Sequence, residues 1–168
     1  MIRFDFMDKN EKESFLPRLF ELLYSNMNEI EPSGLGFEED YREWSCAISP
    51  ALEKAPRKLI LIYDGEELIG FFMYYVNETT FMMEEIQLKK EYHGTGIFKK
   101  LYAFLFDVIP QTPEFVEAYA LKSNLKSQGI LAHLGLECVG ENLNGSCWHY
   151  RGKCREMWQI VLKHGEHD

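Results

Sequence analysis

One short run, Glu91-Tyr92-His93-Gly94-Thr95-Gly96-Ile97, constrains this chain more than any other. It stands between Phe81 to Leu88, which reads as a buried strand, and Ile97 to Val108, whose Ile97, Leu101, Phe104, Leu105 and Val108 recur at helical spacing. Glycines at a strand-to-helix junction let backbone N–H groups converge on an anion. They permit close approach, and the first turn of a helix leaves its amides unpaired. The sequence therefore predicts a phosphate-bearing ligand at this turn. Gly94 and Gly96 do not fit a Walker loop, which needs G-x-x-x-x-G-K-[ST], and the residue three after Gly96 is Lys99, so a G-x-G-x-x-G dinucleotide fingerprint fails too.

With 168 residues and 46% hydrophobic content, the chain can bury one core and is read as a single domain over 1–168. The start, Met1 to Phe6, has no charged leader followed by an apolar core, and no run of 18 or more apolar residues occurs, so a cytoplasmic protein that does not engage a membrane is expected. A net charge of −9 argues against non-specific nucleic-acid binding. Cys46, Cys138, Cys147 and Cys154 lack C-x-x-C spacing and read as reduced structural thiols, with no metal site. Charge is unevenly spread. Lys89, Lys90, Lys99 and Lys100 against Glu91 leave +3 around the glycine turn (four minus one), whereas Glu29, Glu31, Glu38, Glu39, Asp40 and Glu43 surround Arg42. The first region suits an anionic cofactor, and the second either attracts a cationic substrate or is a solvated face.

The order of elements alternates. Ile2 to Met7 reads as a strand, Asp8 or Asn10 caps a helix through about Asn26, and Phe37 to Leu52 reads as a second helix. Lys58 to Tyr63, Asp64-Gly65 and Glu66 to Asn77 form a tight hairpin. After the glycine turn and its helix, Phe115 to Leu121 reads as strand, Asn124 to Leu134 as helix, and Leu136 to Leu143 and Trp148 to Leu162 as returning strands.

In this setting Ile86 to Leu101 resembles the acyl-CoA motif of the GNAT superfamily of N-acetyltransferases. That motif is an apolar strand end, a polar residue or Glu, an aromatic, a basic residue, and G-x-G before a helix. Leu88, Glu91, Tyr92, His93, Gly94 and Gly96 occupy those places. Downstream, Asn124, Ser127, Gly135 and Leu136 follow part of the family pattern N-x-x-A-x-x-x-Y-x-x-x-G-[FL]. Two positions depart from it. His93 stands where arginine or lysine is usual, and Leu131 where many members place the tyrosine that protonates the departing thiolate. Tyr119, Tyr150, His133 and His149 are the substitutes considered, each also explicable as structural.

The resemblance implies an α/β (α+β) fold, a mixed, mainly antiparallel sheet of six to seven strands flanked by about four helices. It implies acetyl-CoA as cosubstrate, and a cofactor-binding set of Ile86, Gln87, Leu88, His93, Gly94, Thr95, Gly96, Ile97, Phe98, Asn124 and Ser127. The backbones of Ile86 and Leu88 would pair with the pantetheine arm, the amides from His93 through Phe98 would hold the pyrophosphate, and Asn124 would touch pantetheine or cap the next helix. The reaction implied is amine attack on the acetyl thioester. An alkylammonium, with a pKa near ~10.4, must first lose a proton. Polyamine-acetylating members carry paired acids at strand positions matched here by Glu84 and Glu85, which gives Glu84 as general base and Glu85 as substrate contact. The acceptor pocket would be roofed by Ile30 to Trp44 and by Cys147 to Trp158, where Phe37, Tyr41, Trp44, Trp148, Tyr150 and Trp158 read as core or as a cation cage. A small cationic amine, a protein lysine and a protein α-amine all stay open as acceptors. A homodimer through the C-terminal strands stays open as well. So does a reading from another class, a non-catalytic acyl-CoA-binding or regulatory module.

Overall fold

A computed structural model of the chain describes residues 1–54 and 56–163. The strands are β1 (Ile2–Phe6), β2 (Lys58–Asp64), β3 (Glu67–Val76), β4 (Thr80–Leu88), β5 (Phe115–Leu121), β6 (Glu137–Glu141) and β7 (Cys147–Lys153). The helices are α1 (Lys12–Ile30), α2 (Phe37–Glu53), α3 (Ile97–Val108), α4 (Leu125–His133) and α5 (Cys154–Lys163). The strands form one sheet of seven in the order β1-β2-β3-β4-β5-β7-β6. β1–β2, β2–β3, β5–β7 and β6–β7 pair antiparallel, and β4–β5 pair parallel. The mixed, mainly antiparallel architecture expected from the sequence is present, with five helices where about four were expected.

The additional helix corrects one expectation. Trp148 to Leu162 does not run as a strand; β7 ends at Lys153 and α5 follows without a break. Cys154, Met157, Trp158 and Val161 are buried at helical spacing, so a period of 3.6 overrides the strand propensity of the aromatic and β-branched residues. α1 also runs one turn beyond its expected end at Asn26, to Ile30, which places Asn26 inside a helix.

The described residues fall into two compact units, those of 1–74 with 85–95, and those of 75–84 with 96–163. In the first, Leu16, Leu19 and Leu22 of α1 and Leu52 of α2 meet Leu59, Leu61, Phe71 and Met73 of the β2–β3 hairpin. Alternate residues of a strand share a face, and this is the face that the helices cover. Gly65, at φ +61°, makes the hairpin turn. Lys12 crosses between the helices with its side chain 9% exposed, donating to Ser49 O at 3.1 Å and Glu53 Oε1 at 2.5 Å. In the second unit, the Trp158 ring stacks on Phe81 (centroids 6.1 Å, 13°) and meets Phe106 edge-on (5.4 Å, 74°), which ties α5 to β4 and α3. Tyr102 of α3 is buried and points its hydroxyl at Met83 Sδ, 3.7 Å away. Burial without a charged partner pushes its pKa far above the ordinary tyrosine value.

Candidate functional site

The glycine turn is held by contacts from several directions. Lys89 N donates to Ile69 O at 2.8 Å. The Tyr92 hydroxyl donates to Asp64 Oδ2 at 2.8 Å, and the Tyr92 carbonyl accepts from Thr95 Oγ1 at 2.5 Å. Hydrogen bonding to Asp64 pushes the Tyr92 phenol up to about 12. Asp64 lies below the usual carboxylate range because the N-terminal ammonium, and next the Tyr92 hydroxyl, favour its charged form.

His93 makes contacts inside the loop. Its amide donates to Lys90 O at 3.0 Å, and its Nε2 lies 2.9 Å from Leu88 O. A carbonyl only accepts, so Nε2 carries the proton, and both donors are committed within the loop. Leu88 O also accepts from Asn26 Nδ2 at 2.9 Å, which occupies both of its lone-pair directions. The local positive excess is reduced as well, since Lys89 pairs with Glu67 at 2.6 Å and Lys90 pairs with Glu29.

Beyond His93 the geometry suits an anion. Gly94 and Gly96 sit at φ +75° and +82°, and a side chain built on either would meet nothing within 4 Å. Gly96 is the N-cap residue of α3 with no side-chain acceptor, and the first turn of that helix carries no acid. The amides of Ile97 and Phe98 therefore begin a helix dipole that no side chain satisfies, with Lys99 and Lys100 beside them.

Glu84 and Glu85 are adjacent in β4 and so face opposite sides of the strand. Glu85 ends a chain of side chains in which Asn26 Nδ2 donates to Gln87 Oε1 at 2.9 Å and Gln87 Nε2 donates to Glu85 Oε1 at 2.6 Å. The register of β4 with β5 runs from Thr80↔Phe115 to Met83↔Ala118 and goes no further along β4. Glu84 follows directly on the last registered pair. Asn124 caps α4, its Oδ1 accepting from Ser127 N at 3.1 Å, so two residues expected at the cofactor make a helix cap with each other. Leu131 is buried. Of the other residues considered for its role, Tyr150 is buried, His133 is exposed on α4, and Tyr119 stacks on His149. Among the aromatic residues considered as a cage, Phe37, Tyr41 and Trp44 pack on Phe20, and Trp158 lies in the core. A concavity of about 370 Å³ at the junction of β1 and α2, lined in part by Phe6, Met7, Leu52 and Leu59, contains none of the expected site residues.

A profile of the acetyltransferase (GNAT) family matches residues 16–136, a span that includes the glycine turn, Glu84 and the Asn124 cap. The chain belongs to the GNAT acetyltransferase family. Solved structures share the fold at low identity. An acetyltransferase from Thermus thermophilus is 16% identical, with a TM-score of 0.69 over 91% of this chain and 97% of that one. The PaiA N-acetyltransferase of Thermoplasma acidophilum, solved in complex with coenzyme A, is 16% identical, with a TM-score of 0.71 over 91% and 99%. Mutant forms of the spermidine/spermine N-acetyltransferase SpeG from Vibrio cholerae are 13% identical, with a TM-score of 0.57 over 98% of each chain. Among curated proteins, none matches the sequence. No helix among the described residues is long and apolar enough to cross a membrane.

Two residues escaped the sequence reading. Asn26, which links α1 to Gln87 and Leu88, looks like an ordinary polar residue near the end of a helix. Glu117 of β5 drew no notice within its strand, since its partner His149 lies 32 residues away.

Proposed function

We propose that this GNAT protein transfers the acetyl group of acetyl-CoA to the amine of a cationic acceptor, by direct attack of the amine on the thioester. The observation that carries the reading is the uncapped N-terminus of α3 behind the positive-φ pair Gly94 and Gly96, entered from the strand that bears Glu84. Amides from Gly94 to Phe98 would hold the pyrophosphate. The backbone of Ile86 and the N–H of Leu88 would receive the pantetheine arm, the Leu88 carbonyl being engaged by Asn26 and His93. Acetyl-CoA supplies the activated acyl group, and the thiolate is a tolerable leaving group.

Glu84 takes the proton of the ammonium, directly or through water, and the freed lone pair attacks the carbonyl carbon. Glu85, on the opposite side of β4, would contact the acceptor and is oriented by Gln87. The acidic residues of the segment from Glu29 to Glu43 fit a positively charged acceptor, whether a small amine or a protein amine. Assays of coenzyme A release test the base. The Glu84→Gln variant is expected to lower kcat about 10²- to 10⁴-fold and to lose the acidic limb of the pH profile, with acetyl-CoA binding unchanged. Full turnover with an unaltered profile would remove Glu84 from the mechanism.

A further inference from the structure

The face of the sheet that carries Glu84 holds a second group able to move protons. His149 of β7 places Nε2 at 2.8 Å from Glu117 Oε1 of β5, with the side chains 23% and 17% exposed. The ring of Tyr119 stacks on the imidazole, centroids 4.5 Å apart and planes at 15°. Arg151 Nε lies 3.9 Å from the same Glu117 oxygen and is fixed over the Phe115 ring, its guanidinium carbon 3.7 Å from the centroid. A carboxylate only accepts, so the proton of the neutral imidazole sits on Nε2. Nδ1 then presents a lone pair, and it has no hydrogen-bond partner among the described residues. A carboxylate that fixes one imidazole tautomer and leaves the other nitrogen basic is the arrangement that proton-transferring histidines use.

Strand alternation puts this pair on the same face as Glu84. Met82 pairs with Glu117 and Met83 with Ala118, so the next residues of β4 and β5 are Glu84 and Tyr119, and Tyr119 pairs in turn with His149. By strand alternation Glu84, Tyr119 and His149 share one face. The other titratable groups there are Glu117, Arg151, Lys153 and Cys147, with Glu137 of β6 opposite Arg151 in the register.

Proton accounting gives the pair a task. A primary ammonium has three N–H bonds and the amide product has one, so two protons must leave, while the sulfur must gain one. Glu84 accounts for the first. We infer that His149, oriented by Glu117, carries the second from the attacking nitrogen to the sulfur. As the adduct collapses, an N–H bond of the former amine breaks and an Nδ1–H bond forms, and the imidazolium is balanced by the Glu117 carboxylate. The C–S bond breaks with its electron pair on sulfur. Nδ1 then gives its proton to the thiolate, which leaves a neutral ring and a thiol. In this role His149 is catalytic and Glu117 is a positioning residue.

The inference rests on the acetyltransferase reading, and the tests separate the two. In the wild-type protein, imidazole nitrogen chemical shifts at neutral pH are expected to show His149 protonated on Nε2 and bare on Nδ1. The opposite tautomer overturns the proposal. Kinetically, His149→Gln is expected to lower kcat about 10²-fold, with KM for acetyl-CoA within twofold of wild type and the imidazole limb gone from the pH profile. Glu117→Gln is expected to lower kcat less, keeping a displaced limb. An active wild type beside a folded His149→Gln variant with kcat within threefold and the same profile overturns the dyad alone. A wild type that releases no coenzyme A with any amine overturns the acetyltransferase reading, and the dyad's role with it.

Discussion

Tyr92 shows how one side chain can set the shape of a functional loop. Its hydroxyl reaches Asp64 at the end of β2, and its carbonyl receives Thr95, so the backbone enters Gly94 from a fixed direction. The hydrogen bond to Asp64 pushes the phenol from the ordinary tyrosine value of 10.0 up to about 12. A raised value means that the folded state holds its proton more tightly than the unfolded state. The contribution to stability is therefore complete below pH 10 and lost as pH rises through the interval up to about 12. Tyr92→Phe is expected to flatten that alkaline loss in thermal melts recorded across the same interval, and an unchanged pH dependence would show that the hydrogen bond is not formed in solution. The sequence marked Tyr92 only as the aromatic of a motif. Its partner 28 residues earlier could not be read, because strand register decides which hairpin residue meets the loop. For the same reason His93 read as an anion contact. Residue type gives its chemistry, but only the fold shows that both donors are already used.

Among the elements, those with one clear period were legible from sequence. α3 begins and ends where its apolar spacing predicts, Ile97–Val108, and β5 matches Phe115–Leu121. α5 was not legible, because a run of aromatic and β-branched residues after β7 satisfies strand propensity while its buried positions follow a helical period. The junction of β4 with α3 is where element structure becomes function. Gly94 adopts a left-handed conformation in open space, so a side chain there strains the backbone without clashing in the free protein. Gly94→Val is expected to cost about 1–2 kcal/mol of stability, the penalty of that conformation for a residue with a Cβ. The larger effect is expected on ligand affinity, because in the proposed site a Cβ would stand where phosphate oxygens approach the amides. Calorimetry is expected to show acetyl-CoA binding at least about tenfold weaker, roughly 1.4 kcal/mol. Wild-type affinity in a folded Gly94→Val protein would place the pyrophosphate elsewhere.

At the scale of the whole molecule, the sheet order places the parallel pair β4–β5 between β3 and β7, and their register stops where Glu84 begins. The glycine turn of the proposed donor site was legible in the sequence because backbone geometry makes it, and Gly94 and Gly96 do take positive φ. The pair of Glu117 and His149 was not legible, because its side chains come together from strands far apart in the sequence. The family assignment supports an acyltransferase and leaves the acceptor to experiment. The most direct measurement is release of coenzyme A from acetyl-CoA by the full chain, assayed against polyamines, aminoglycosides, lysine peptides and peptides with a free α-amine. At least one acceptor class is expected to give amine-dependent release matched mole for mole by N-acetylated product. Tight binding of acetyl-CoA with no release for any of these amines would contradict the assignment and identify the chain as an acyl-CoA-binding module on an acetyltransferase scaffold.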